Sequence, residues 1–294
     1  MRHPIRRFKL LRLLLIVMMI AVLTSYTRAI VPLAEPSLPQ RLALADLVLV
    51  GKVTAMEPDL VNASPLLKIS GVGKIPYQVA VVSVQTSILG GDIPRQVRVG
   101  YVVLPSATKE SQLKYRRLAR LKLAEGQKGC FFLTKHPEES FYVAQAAYDF
   151  LDESKTKDYA KKLAEIKHDA ELLRDPDAGL QSKSPADRLR TAAMLIFRYR
   201  TARFVYTGKP TTAPIDASQS RGILAALAEA EWKEEDAPLE LSSFALFMRL
   251  DLTAEDGWTP PESVSGQIAA AKKWLTENGS KYRIQKYVPE DKGD

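Results

Sequence analysis

Cysteine is nearly absent from this chain: of 294 residues, Cys130 alone carries a thiol. One thiol excludes an intramolecular disulfide, a cysteine-rich metal cluster and a CxxC redox pair. Set in the apolar run GCFFL, it is expected to be a buried and inert core side chain. Histidine is also scarce, with His3, His136 and His168. His168 lies off the apolar side of a charged helical segment and is expected to be solvated; His136 is expected at the surface of a strand end. No HExxH, GxSxG, SxxK or paired Cys/His spacing occurs, so the familiar signatures of metal-assisted and nucleophilic hydrolysis are missing. Residues 71–74 (GVGK) lack the full spacing of a phosphate loop and read as a hairpin connection. Asp149, Asp152 and Glu153 form a carboxylate cluster, read as acids at a helix N-terminus, where the dipole favours them. No catalytic residue, metal ligand or cofactor is assigned.

Acidic residues are missing from positions 1–29, which hold Arg2, Arg6, Arg7, Lys9, Arg12 and Arg28. That stretch supplies most of the net charge of +8, leaving 36 basic against 34 acidic residues in the remainder. The charge is polarised there too. Residues 95–135 hold ten Lys/Arg against Glu110 and Glu125, so the rest of the chain is net acidic.

No apolar run is long enough for a comfortable membrane span, which needs ~20 residues. The longest, Leu13 to Leu23, follows the cationic residues and precedes Thr27-Arg28-Ala29, small residues at −3 and −1. Residues 1–29 are therefore expected to be a secretory signal peptide or an uncleaved signal anchor, with attachment through residues 10–25 in the second case. No cysteine follows the apolar run, so a lipoprotein anchor is excluded. Either way the folded part is expected to be exported, to the periplasm, the cell envelope or the medium.

What is abundant is β-branched sequence. Residues 30–43 are Pro-rich and read as a linker; from 44 to 150 come LVLVGKVTAM (47–56), YQVAVVSVQTSIL (77–89), QVRVGYVVL (96–104), GCFFLTKH (129–136) and FYVAQAAY (141–148). A basic segment between the third and fourth runs, 108–124, can form a helix with Thr108 as N-cap, although Leu121-Lys122-Leu123 could equally begin a strand. Five strands with a helix between the third and fourth is the order of an OB-type barrel. VLVGKVTAM, SILGG, VRVGY and LAEGQKGCFFL resemble the barrel of tissue inhibitors of metalloproteinases and netrin-like modules, over residues 46–148. The resemblance implies the barrel alone. The N-terminal cysteine that could chelate a protease zinc and the family's disulfides are missing, so no inhibitory mechanism is implied.

From 151 to 288 the period changes to that of helices. Tyr159, Leu163, Ile166, Ala170 and Leu173 form one apolar face; Ser184-Pro185 and Asp216 are helix starts; 241–251 and 263–278 predict two more helices, the last closed by Gly279. Residues 281–288 alternate like a terminal strand, and 289–294 read as a tail. Trp258, in a rigid loop with Pro260 and Pro261, is expected to plug a small helical bundle. The expected class is α+β.

The basic segment is the best candidate surface: Lys114, Arg116, Arg117, Arg120 and Lys122 could bind phosphate, an acidic polymer or anionic headgroups. The bland reading is a solvated helix face answering the acids of the helical half. Nucleic acid is the less attractive partner, for want of an obvious row of exposed aromatics. The expectation is an exported, non-enzymatic interaction protein for an acidic or protein partner. The rivals are a membrane-anchored structural envelope protein and a carboxylate-dependent hydrolase built on Asp149 and Asp152.

Overall fold

Alternation of apolar residues decides which runs become strands, and the strands pair in a single large sheet. The computed structural model describes residues 35–66, 73–103, 121–202, 211–232 and 242–288. The sheet contains β1 (Leu47–Met56), β2 (Val61–Ala63), β3 (Ile75–Leu89), β4 (Gln96–Val102), β5 (Lys128–Lys135), β6 (Tyr142–Val143) and β7 (Phe150–Asp152). The strand order is β1-β3-β4-β6-β5-β7, with β2 on β3. β1 also pairs with β5, so five strands are linked in a circuit; the β4–β6 contact is parallel and the other pairings are antiparallel.

Side chains alternate across this sheet. Leu47, Leu49, Val53, Val82, Val97, Val99, Phe131 and Leu133 share one apolar cluster. The opposite face of β1 and β5 gives Val48, Cys130 and Phe132 to a second, larger cluster shared with the helices. Near its other end the same face carries a third cluster, with Tyr77, Val79, Val102 and Phe141. Each fully buried side chain of this size contributes roughly 1.5–3 kcal/mol.

Seven α-helices occur among the described residues: α1 (Leu38–Leu44), α2 (Tyr159–Arg174), α3 (Pro176–Leu180), α4 (Pro185–Arg200), α5 (Ala217–Glu229), α6 (Ser243–Met248) and α7 (Val264–Asn278). A separate hairpin joins β8 (Thr211–Pro214) to β9 (Gln285–Val288). The class is mixed α+β, as expected. Local chemistry starts the helices: Ser184 Oγ accepts from Asp187 N at 3.3 Å, and Asp216 Oδ1 accepts from Ser218 N and Gln219 N. Trp258 does plug the bundle, edge-on to Phe247 at 4.8 Å.

Several expectations are corrected. The Pro-rich linker contains α1, because Pro39 sits in its first turn, where no N–H is needed. Leu42 and Ala43 pack into the helical core, and Arg41 donates to Pro36 O and Tyr148 O, both at 2.7 Å. The run 141–148 is a strand only at Tyr142–Val143. The Asp149 carboxylate captures Gln145 N and Ala146 N there and closes a 3₁₀ turn, Ala147–Asp149. These acids therefore do not cap a long helix. Gly279 ends α7 in the right-handed region; its value is close approach, since a Cβ would strike the Leu275 carbonyl.

Candidate functional site

The chain re-enters the described residues at Leu121, and residues 121–124 are neither helix nor strand. Leu121 and Leu123 are both buried in the sheet core and Lys122 between them is exposed, the spacing of an extended chain rather than a helix. Two residues apart, the leucines reach the same side and hold this end of the segment to the sheet. Ala124 N donates to Gln127 Oε1, Gly126 N to Val53 O and Val53 N to Gln127 O, so the turn is stitched to β1. The other end is held by Val103 N donating to Pro76 O. The helix expected over 108–124 falls outside the described residues up to position 120, and so do Lys114, Arg116, Arg117 and Arg120. Lys122 is the described member of the predicted set.

Beside that turn the sheet carries cations which sequence reading did not single out. Lys52 of β1 stands opposite Lys128 of β5 in the ladder, and both are exposed. On its other side Lys52 faces Ser83 of β3, and Ser83 faces Gln96 of β4. The neighbours Val53, Val82 and Val97 point into the sheet core, so by alternation the four polar residues share the opposite face. Arg95, just before β4, is also exposed. Among the described residues no acid makes an ion pair with Lys52, Lys122 or Lys128. The nearby Asp152 is already engaged. Burial opposes its charge, but the Ser154 hydroxyl and N–H and the Lys155 ammonium outweigh that and hold the carboxyl below its usual range.

One step further along the sheet the pattern is different. Arg98 of β4 grips Glu57 through two hydrogen bonds, at 2.6 and 2.8 Å, and donates a third to Ser140 Oγ. That fork holds the Glu57 carboxyl below its ordinary pKa. Arg98 is a neutralised cation; the lysines are not.

The groups that could carry hydrolysis are used structurally. His136 is 1% exposed, not a surface residue as expected, because Tyr77 and Phe141 pack around its ring. Its Nδ1 accepts from Glu138 N and Glu139 N, which by geometry assigns the proton to Nε2 and its donation to Ser64 O at 2.9 Å. Ser64 Oγ lies 2.8 Å from Glu138 Oε2. Serine, histidine and glutamate therefore meet, but both ring nitrogens serve backbone groups, so the imidazole does not face the hydroxyl, which donates to the Glu138 carboxylate instead. Burial pushes Asp149 up to about 6 against the two N–H donors and Arg41, and its oxygen closes a turn. Cys130 is fully buried, its thiol pushed up to about 12. His168 is exposed, as expected, and pairs with Asp187 at 2.9 Å. A cleft lined by Pro65, Leu66, Ile75, Tyr77, Val102, Val143 and Gln145 has room for roughly one water molecule. No group of three or more metal-ligating side chains occurs among the described residues.

Comparison of the chain with protein-family models and with curated proteins gives no match.

Proposed function

We propose that this chain is an exported, non-enzymatic binding protein which engages an acidic or protein partner through a basic face carried by an OB-type barrel. The observation that carries the reading is the cationic connection between β4 and β5, anchored to the sheet at Val103 and again at Leu121 and Leu123, with Lys122 exposed between the leucines. A chain fixed at both ends has less freedom to lose on binding than a free one, which limits the ordering cost of an interaction made there. The barrel itself is supported by the circuit of pairings β1–β3–β4–β6–β5–β1 with its one parallel contact. The resemblance of residues 46–148 to tissue inhibitors of metalloproteinases and netrin-like modules implies a barrel of this kind and none of their inhibitory chemistry.

Export rests on the leader. Among the described residues no helix is long and apolar enough to cross a membrane, and residues 1–34 lie outside them. A mature N-terminus at Ile30 would release the protein; a full-length species in the membrane fraction would make residues 10–25 an anchor and favour a structural role in the envelope. The hydrolase reading finds no support in Asp149 and Asp152, whose carboxylates hold turns.

Binding is tested by changing Arg116, Arg117 and Arg120 to Glu in the full chain. Retention on sulfated and carboxylated matrices is expected to fall sharply at low salt; unchanged retention on every one of them would sink the proposal.

A further inference from the structure

Two lysines placed opposite each other in a β-ladder repel, their Cβ atoms only about 5 Å apart. Here the pair Lys52–Lys128 has no ion-pair partner among the described residues, although Arg98 on the same face is neutralised by Glu57. Glu153 donates its backbone N–H to Lys128 O, yet its carboxylate makes no ion pair with that lysine. The pair continues across the sheet to Ser83 and Gln96, hydrogen-bonding groups of either sense, with the Arg95 side chain exposed beside them. Along β1 and β5 one side of the row gives way to Val48, Cys130 and Phe132 under the helices; on the other side come Arg98, held by Glu57, and then Tyr77 and Val79 of the third cluster. A polar strip four strands wide, roughly 14 Å across at the usual strand spacing, lies open between them.

We infer that the row Lys128–Lys52–Ser83–Gln96 is a binding track for an acidic polysaccharide, laid across the strands. This deepens the proposed binding function and rests on it. The charge pattern suits an occupant with repeated anions: two uncompensated cations in register, hydroxyl and amide groups beyond them, and no acid within the row. The other polymers fit less well. Base stacking needs aromatic platforms, and among the described residues the exposed large hydrophobics are Leu60 and Met248. A protein partner of ordinary affinity wants an apolar centre in its interface, and the strip has none. A sugar chain with carboxylate or sulfate groups needs neither.

The test uses the full mature chain and dextran sulfate as the probe, with affinity measured against salt. Counterion release at about 0.7 per cation, the scale for a single-stranded polyanion, predicts that K52Q/K128Q lowers the slope of log K on log salt by about 1.4. Its thermal midpoint should be unchanged or higher, since repulsion is relieved, so a lost slope is not lost folding. An unchanged slope in this variant, with R116E/R117E/R120E impaired, would overturn the track and leave the basic connection as the site. Unchanged binding in both variants would overturn the track and the proposed function together. Binding of the unmodified chain to phosphatidylglycerol vesicles, to single-stranded DNA or to an acidic protein, with none to dextran sulfate, would overturn the choice of occupant.

Discussion

On the helix-covered face of β1 and β5, Val48, Cys130 and Phe132 are buried, while two residues beyond Val50 and Cys130 along the same strands Lys52 and Lys128 stand in water. The backbone does not change between the two regions: the same antiparallel ladder runs through both, in one unbroken register from Leu47↔Leu133 to Lys52↔Lys128. What differs is the layer above. Where the helices lie over the strands, methyl and phenyl groups bury area worth roughly 25 cal/mol per Å². Where cover ends, the strand positions are released to polar side chains. Two like charges can face each other there because water screens them, at a cost of a fraction of a kcal/mol that a bound anion would reverse.

The largest effect separating the two regions comes from Phe132→Ala. Removing a buried ring should cost about 3–5 kcal/mol in urea unfolding, whereas Lys128→Ala should stay within about 0.5 kcal/mol. Comparable losses at both positions would abolish the distinction.

A pH effect sharpens it from the buried side. Burial raises the Asp149 carboxyl to about 6 from 3.8, so between those values the folded chain holds a proton that the unfolded chain has released. The contribution of this group to stability is therefore full below about pH 4 and lost as pH rises through 6. Relative to Asp149→Asn, the wild-type chain should lose up to about 3 kcal/mol from pH 4 to pH 7, two pKa units at 1.36 kcal/mol each. Parallel pH profiles for the two proteins would show that the carboxyl is not desolvated in the fold.

The smallest effect lies on the open side. Lys128→Glu turns the facing pair into opposite charges and should stabilise the chain by about 0.2–1 kcal/mol at low salt. The gain should fade in concentrated salt. Thermal midpoints at two ionic strengths check it, and destabilisation at low salt would mean that Lys128 makes some contact other than the repulsive one.

Much of the fold was legible in the order of the residues. β1 falls on the run 47–56, and Ser184 and Asp216 cap helices where they were expected to, since both signals depend on residues a few positions apart. The short strands β2 and β7, three residues each, were not legible, because period 2 cannot be read over that length. Pro36 and Pro39 suggested a linker, yet Pro39 suits the first turn of α1 equally well, and burial of Leu42 against α4 and its neighbours decides between them. Of the predicted cationic set, Lys122 is described and exposed; Lys52 and Lys128 were missed. A hint was present in Lys52, which interrupts the apolar positions Val48 and Val50 on its own side of the strand.

The strand runs, the helix starts, the scarcity of thiols and the polarised charge arise from composition and from contacts between near neighbours, which a linear sequence displays directly. The facing of Lys52 and Lys128, the packing of Tyr77 on His136, and the tie from Arg41 to Tyr148 join residues far apart in the chain. They depend on register and packing, which are settled by the free energy of the whole sheet with its helices and by no single segment.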